Sequence, residues 1–160
     1  MTRPPKPFIG VLSDTHGYYD AALDDLLAGA EHIVHAGDIG TLEVLSRLRA
    51  IAPLTAVLGN TDLPFWEGDL PWEAEVVVLG RRILVGHIGK SLMGRHDPVA
   101  EGFDLVVSGH SHKAAVVWRE STLFLNPGAA GKARFGQPRT LALVTIDADG
   151  QLAPEIVPLD

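Results

Sequence analysis

The sequence contains no cysteine, no apolar run long enough to cross a membrane and no cluster of basic residues. Without cysteine the chain has no disulfides and no thiolate ligands, so any bound metal must be held by nitrogen and oxygen donors. No apolar run approaches the ~18 residues of a membrane-spanning helix. Residues 1–7 are followed by too few apolar residues for a signal peptide. We therefore expect a cytoplasmic protein without membrane contact.

The charge balance is acidic, with 20 acidic and 13 basic residues and a net charge of -7. The basic residues are scattered rather than gathered into a stripe, which argues against a dedicated nucleic-acid-binding protein. A chain of 160 residues is long enough to bury one substantial core. We expect a mobile tail over residues 1–7 and a single domain over residues 8–160.

The first third of the chain alternates short apolar runs with amphipathic segments. Residues 8–12, 32–36 and 54–58 are predicted strands. Asp20 and Thr41 are predicted N-caps of the two helices between them. Because strands that alternate with helices pair in parallel through right-handed crossovers, this segment predicts a parallel sheet.

From residue 74 onward, turn residues separate short strand patterns. The predicted strands are 74–79, 82–85, 115–118, 123–125, 141–146 and 152–157. We expect a more antiparallel half that packs on the parallel half as a second sheet, with helices outside. Residues 62–72 read as an apolar loop with Phe65, Trp66 and Trp72, and residues 89–102 as a loop with about one helical turn.

A potential metal ligand follows each of five apolar runs. Seven donors lie at these positions: Asp14, His16, Asp38, Asn60, His87, His110 and His112. Ligands of open α/β sheets bind beyond the carboxyl ends of the strands, so these donors can converge there. A glycine precedes several of them, and glycine suits a sharp turn or a close backbone approach.

Carboxylate, imidazole and amide donors suit a pair of divalent ions better than a structural zinc site, which favours cysteine. The candidate ions are Mn, Fe, Zn, Ni, Co and Mg. Two ions with Asp14, Asp38 and a bridging hydroxide leave a single positive charge, which would attract a phosphodiester monoanion. Two-metal sites hold the attacking and leaving oxygens of an in-line displacement at phosphorus.

Taken singly, each of these residues has a simpler interpretation as a helix cap, a turn former or a hydrogen-bonded structural residue. We expect His32 to be a surface residue and His35 a packed, hydrogen-bonded residue. His96 lies in the predicted loop 89–102 and is a candidate for contact with substrate.

The order of the donor groups resembles the five motifs of the calcineurin-like metallophosphoesterases. The matching groups are Asp14-x-His16, Gly37-Asp38, Gly59-Asn60-x-Asp62, Gly86-His87 and Gly109-His110-Ser111-His112. The later Asn126-Pro127-Gly128 is similar to the small single-domain bacterial and archaeal phosphodiesterase branch. The resemblance implies a four-layer αββα sandwich of two mixed sheets flanked by helices, with a dinuclear site at the carboxyl ends of the strands.

The resemblance also implies how the ligands are shared. One ion would be held by Asp14, His16, Asp38 and His112, and the other by Asp38 as a bridge with Asn60, His87 and His110. Asp62 would orient a neighbouring ligand or backbone.

Two residues depart from the family pattern. Many members carry histidine where this chain has Thr61, and Ile88 stands between His87 and Gly89 where His-Gly is common. Thr61 cannot donate a proton at neutral pH, so we expect aryl phosphodiesters to be favoured over alkyl ones.

The resulting hypothesis is hydrolysis of a small phosphodiester by a bridging hydroxide at two divalent ions, with Mn²⁺ preferred. Asp38, His87 and His96 are the candidate catalytic residues. The alternatives are a non-catalytic scaffold on the same fold and a phosphomonoesterase. The natural substrate, the native metal and a homo-oligomeric state are left open.

Overall fold

The computed structural model describes residues 6–62, 70–133 and 136–160. Within these ranges the chain forms ten strands and three helices in two five-stranded sheets. In chain order the elements are β1 (Ile9–Leu12), α1 (Ala22–Leu26), β2 (His32–His35), α2 (Leu42–Arg49), β3 (Leu54–Ala56), β4 (Glu73–Val78), β5 (Arg81–Gly86), α3 (Gly89–Arg95), β6 (Leu105–Val107), β7 (Ala115–Arg119), β8 (Thr122–Asn126), β9 (Thr140–Ile146) and β10 (Leu152–Pro158).

The first sheet has the strand order β10-β9-β1-β2-β3. Strands β1, β2 and β3 pair in parallel, which confirms the prediction for the first third of the chain. The hairpin of β9 and β10 was expected in the second sheet, but β9 instead pairs antiparallel with β1. All four β1 residues are buried, so the backbone N–H and C=O groups on both edges of this strand need hydrogen-bond partners.

The second sheet has the order β4-β5-β6-β8-β7. Strands β4 and β5 form the predicted antiparallel hairpin, whereas β5, β6 and β8 run parallel. Strand β7 is an antiparallel edge strand. Both sheets are therefore mixed, and the second is less antiparallel than expected.

The inner faces of the two sheets share one apolar core. Ile9 and Val11 of the first sheet pack in the same cluster as Ile83, Leu105 and Leu123 of the second. A separate core lies under α1 and α2 on the outer face of the first sheet. The layer order is therefore that of an αββα sandwich, which confirms the predicted fold class.

The helices differ in detail from the prediction. The Asp20 carboxylate accepts the Ala22 N–H at 2.8 Å beside α1, while Thr41 stands at the N-cap of α2 without a side-chain hydrogen bond. Residues 89–95 form the helix α3 rather than a loop, because Leu92 is buried against Leu84 and Phe103. Two glycines in α3 weaken its helical signal in the sequence.

Some predictions fall on residues outside the described ranges. These include most of the predicted tail, and Phe65 and Trp66 of the apolar loop, whereas Trp72 is described and half-exposed. None of the helices in the described ranges is long and apolar enough to span a membrane.

Candidate metal centre

The carboxyl ends of four strands bring histidine and aspartate side chains together at one edge of the sandwich. Six of the predicted donors form two groups, and within each group the ligating atoms lie within 4.8 Å of one another. The first group is Asp14, His16 and His112, and the second is Asp38, His87 and His110. The ends of β1 and β6 supply the first group, and those of β2, β5 and β6 the second.

The Asp38 carboxylate lies between the two groups. Its Oδ2 is 3.2 Å from His87 Nε2 in its own group and 3.7 Å from His16 Nε2 in the other. Asp14 Oδ1 is similarly 3.3 Å from His112 Nε2 and 3.8 Å from His87 Nε2. The two groups therefore form one continuous cluster.

Hydrogen bonds fix one oxygen of each carboxylate and leave the other facing the cluster. Asp14 Oδ2 accepts the Ser13 hydroxyl at 2.6 Å and the His110 N–H at 3.0 Å. Asp38 Oδ1 accepts the Thr61 N–H at 2.9 Å. Asp14 Oδ1 and Asp38 Oδ2 are thus held in place to bind a cation.

Asn60, the seventh predicted donor, lies beside the second group. Its Oδ1 is 3.2 Å from His110 Nδ1. That distance fits a hydrogen bond, and it also fits two ligands on one ion, since atoms about 2.1 Å from an ion at a right angle are about 3 Å apart. Both residues are exposed, which leaves this side of the cluster open to a substrate.

Three buried polar atoms of the cluster make no hydrogen bond within the described residues: Asp14 Oδ1, His16 Nε2 and His87 Nε2. Buried polar atoms normally have partners because leaving them unsatisfied costs free energy. A cation bound among them would satisfy all three. Nitrogen and oxygen donors without thiolate are the set that binds divalent ions such as Mn²⁺, and the residues therefore fit a metal.

Electrostatics keep the two carboxylates ionised. Burial favours their neutral forms, but hydrogen bonds and the nearby imidazoles outweigh it and hold the pKa of Asp14 and of Asp38 below the ordinary value. Burial also lowers the pKa of His87, but Asp38 and Asp14 outweigh this effect and leave it raised. Only the neutral imidazole binds a metal, so this raised pKa makes metal binding by His87 weaker as the pH falls.

Backbone strain is concentrated at the cluster. Seven non-glycine residues in the described ranges have positive φ, and five of them are predicted ligands: Asp14, His16, Asp38, His110 and His112. The other two, Leu79 and Glu120, lie in turns. Left-handed backbone costs free energy at non-glycine residues, and such residues cluster at functional sites.

Glycines permit the close packing of the ligand loops. A Cβ on Gly59 would collide with the backbone and carboxylate of Asp38, and one on Gly109 would lie 2.6 Å from Asp14 Oδ2. The predicted reason for glycine before the donors thus applies at both positions.

Asp62 links two of the ligand loops. Its buried carboxylate accepts the N–H groups of Ile39 at 2.9 Å, Gly40 at 3.1 Å and Gly59 at 2.8 Å. These residues flank Asp38 and Asn60, so Asp62 holds the backbone that carries both predicted ligands.

No sequence pattern indicates the roles of Ser13 and of the Ala36 carbonyl, which orient the predicted ligands Asp14 and His87. Ser13 donates to Asp14, and Ala36 O accepts the Nδ1–H of His87 at 2.8 Å. Ser13 resembles any residue at the end of a strand, and a backbone carbonyl leaves no mark in the sequence.

The other three histidines lie outside both groups. His35 is buried, bonds Thr15 Oγ1 at 3.0 Å and accepts the Gly37 N–H at 3.1 Å, which confirms its structural interpretation. His32 is half-buried rather than fully on the surface, and it bonds Thr55 at 2.8 Å.

Both ring nitrogens of His96 contact glutamates. Nδ1 is 3.1 Å from Glu101 Oε1 and Nε2 is 2.9 Å from Glu73 Oε1. Hydrogen bonds to these two carboxylates raise the pKa of His96. His96 lies with these two glutamates and is not part of either donor group.

Two mixed sheets with a nitrogen and oxygen donor cluster at their strand ends define an α/β metalloprotein architecture. The calcineurin-like phosphoesterase superfamily domain matches residues 8–149, and the chain belongs to this superfamily. A probable metallophosphoesterase of Methanothermobacter thermautotrophicus is 30% identical over 161 residues, which cover 93% of this chain and 91% of that protein.

Solved structures share the fold at lower identity. Vacuolar protein sorting 29 from Entamoeba histolytica, solved with Zn²⁺, has a TM-score of 0.70 and 20% identity over 96% of this chain and 99% of that one. An archaeal phosphodiesterase has a TM-score of 0.70 and 21% identity over 94% of this chain and 99% of its own. Because both sequence identities are low, these likenesses support the fold alone.

Proposed function

We propose that this metallophosphoesterase hydrolyses phosphodiesters at a dinuclear divalent-metal centre. The observation that carries the proposal is the position of Asp38, whose Oδ2 faces His16 in one donor group and His87 in the other. A carboxylate between two ligand groups is the arrangement needed for a shared bridge between ions ~3.5–4 Å apart.

The proposed ligand sets follow the two groups. Asp14, His16, Asp38 and His112 would hold one ion, and Asp38, Asn60, His87 and His110 the other. Two divalent ions would activate a water as nucleophile at neutral pH and offset the charge on the phosphoryl oxygens. Nitrogen and oxygen donors suit Mn²⁺, and the zinc bound by the Entamoeba histolytica protein supports a divalent ion on this fold.

The protein's own groups prepare the site for an anion. Asp14 and Asp38 stay ionised but cancel only part of the charge of two divalent ions, so the loaded centre attracts a phosphodiester monoanion. Asn60 and His110 lie on the exposed side, where the phosphate can approach. The archaeal phosphodiesterase of similar fold supports a diester over a monoester.

Leaving-group protonation is the weak step of the proposed reaction. Thr61 has no group that donates a proton at neutral pH, and a missing general acid typically costs ~10²–10⁴-fold in rate. Aryl esters, whose leaving groups need no proton, should therefore react much faster than alkyl esters. Equal rates on both would contradict this part of the proposal.

The role of His96 in protonating an alkoxide stays a prediction. If His96 acts in this way, His96→Gln lowers the alkyl-ester rate selectively and leaves the aryl-ester rate unchanged. A parallel fall for both esters would instead reflect the hydrogen bonds of His96 to Glu73 and Glu101.

The test of the proposed function is a titration of metal-stripped protein with Mn²⁺ while hydrolysis of bis(p-nitrophenyl) phosphate is followed. We expect activity to saturate near two ions per chain and to disappear in Asp38→Asn. Asp25→Asn is the matched control, because Asp25 is an exposed aspartate on α1. Inactivity with Mn²⁺, Ni²⁺ and Zn²⁺ alike would exclude the proposal.

A non-catalytic scaffold is the second candidate. The likeness to vacuolar protein sorting 29 supports it, as does β7, where Val116, Val117 and Trp118 are exposed. A scaffold does not need strained ligand residues or unsatisfied buried donors. Their presence therefore favours the enzyme.

A further inference from the structure

A cleft of about 560 Å³ opens directly beside the proposed metal ligands Asn60 and His87. This volume lies within the range of small-molecule binding sites. A phosphate at the metal centre would therefore direct one of its ester substituents into the cleft.

The far end of the cleft offers no unpaired cation among its described lining residues. Arg95 forms an ion pair with Glu73, which also contacts His96 at 2.9 Å. Glu101 adds a second carboxylate on the other side of His96. With two carboxylates facing one guanidinium and one imidazole, this end would not attract a second phosphate.

The remaining wall is largely apolar. Leu58, Ile88 and Leu92 line the cleft, and Trp72 lies at its edge with 46% of its surface exposed. The backbone beside Trp72 is anchored, because the Pro71 carbonyl accepts the Leu58 N–H at 2.9 Å. An exposed indole on a fixed backbone beside a ligand-sized cleft is suited to stacking on a flat ring.

We propose that this cleft binds an uncharged flat ring on the non-leaving substituent of the phosphodiester substrate, stacked on Trp72, while the phosphate lies at the Asn60 and His87 end. This inference rests on the proposed function and specifies its substrate class. The ring can belong to a nucleoside or to another aryl ester, because both present the same planar surface.

The test uses three diesters that share a p-nitrophenolate leaving group and differ in the second substituent: methyl, phenyl or thymidine-5′-yl. In Trp72→Ala we expect kcat/KM for the phenyl and thymidine diesters to fall about 5- to 150-fold, the range for loss of one stacked ring. The methyl diester should change less than twofold, and Trp72→Phe should restore most of the loss. Trp118→Ala is the control, since Trp118 is similarly exposed but lies on β7.

The second substituent identifies the source of the ring. If Trp72→Ala lowers kcat/KM for both the phenyl and the thymidine diester, the proposal is supported with a nucleoside as substrate. If kcat/KM falls for the phenyl diester alone, the proposal is supported with a smaller arene. An equal loss for the methyl diester, or no loss at all, overturns it.

A binding measurement separates failure of the cleft from failure of the enzyme. Calorimetry with Mn²⁺-loaded protein should show that phenylphosphonate binds more tightly than methylphosphonate, and that Trp72→Ala removes the difference. If the wild type hydrolyses none of the diesters but still binds phenylphosphonate more tightly than methylphosphonate, the proposed function is wrong and the proposed role of the cleft is supported. If the wild type is active but the two phosphonates bind equally, only the cleft proposal fails.

Discussion

The Nδ1–H of His87 donates to the carbonyl oxygen of Ala36 over 2.8 Å. Because a carbonyl can only accept, this bond places the His87 proton on Nδ1 and leaves Nε2 facing Asp38 as a potential ligand. Ala36 follows β2 of the first sheet and His87 follows β5 of the second. This hydrogen bond therefore joins the two sheets at the candidate metal centre, as does the one from the His110 N–H to Asp14.

Replacement of His87 should remove one ion. In His87→Ala we expect Mn²⁺ titration by calorimetry to fall from two sites to one, or the weaker site to lose more than the ~10–100-fold typical of changes to groups that only orient a ligand. His32→Ala, which alters a half-buried histidine outside the cluster, should keep both sites. Unchanged stoichiometry and affinity in His87→Ala would exclude this residue as a ligand.

Two glycine substitutions should have opposite effects. Gly59→Ala forces a methyl group against Asp38 and should lower the free energy of unfolding by about 1–3 kcal/mol and weaken metal binding. Gly94→Ala in α3 meets no atom within 4 Å and should raise stability by up to about 1 kcal/mol. Urea denaturation of both variants measures the difference. A stable Gly59→Ala protein with full metal affinity would show that the Asp38 loop can move aside.

Asp62 should be needed as a carboxylate. An asparagine there has one acceptor oxygen, so its amide group would face a buried backbone N–H, at a cost of about 1–3 kcal/mol. We expect Asp62→Asn to be less stable and to bind Mn²⁺ about 10–100-fold more weakly, although Asp62 lies outside both donor groups. Asp25→Asn serves as the control, and equal metal affinity in the two variants would refute the role of Asp62.

The buried His35 should make the metal-free protein sensitive to acid. Burial lowers the pKa of His35 to about 4 in the folded protein, from 6.5 in an unfolded chain. The unfolded state therefore takes up this proton first as the pH falls. The contribution of His35 to the free energy of unfolding is complete above pH 6.5. About 3 kcal/mol of it is lost as the pH falls towards 4.

Urea denaturation at several pH values between 7.5 and 4.5 measures how steeply the free energy of unfolding depends on pH. His35→Gln should make this dependence weaker, whatever the change in stability at neutral pH. His32→Gln should keep most of it, because His32 is only half-buried and its pKa is lowered by that partial burial alone. An unchanged slope in His35→Gln would assign the acid sensitivity to other groups.

The sequence predicted the parallel strands and the donors after them because both depend on local patterns. Apolar runs mark the buried strands, and Asp14, Asp38 and His87 follow such runs directly. The left-handed backbone at Asp14 and Asp38 could not be predicted, since the surrounding structure imposes it.

Pairings between strands and between charged side chains that are far apart in the sequence also could not be predicted. No local pattern shows that β9 lies beside β1, or that Glu73 pairs with Arg95 and His96. The helix α3 was predicted as only about one turn for a different reason. Its stability comes from Leu92 in a tertiary core, while Gly89 and Gly94 reduce its local propensity.

The pairing of β1 with β9 also has a consequence for synthesis of the chain. Ile9 lies opposite Val144, near the other end of the sequence, so one edge of β1 stays open on the ribosome until β9 has emerged. An open edge of an apolar strand can pair with other chains. Nascent chains stalled before residue 140 should therefore be prone to aggregation, and the C-terminal hairpin completes the fold by covering that edge.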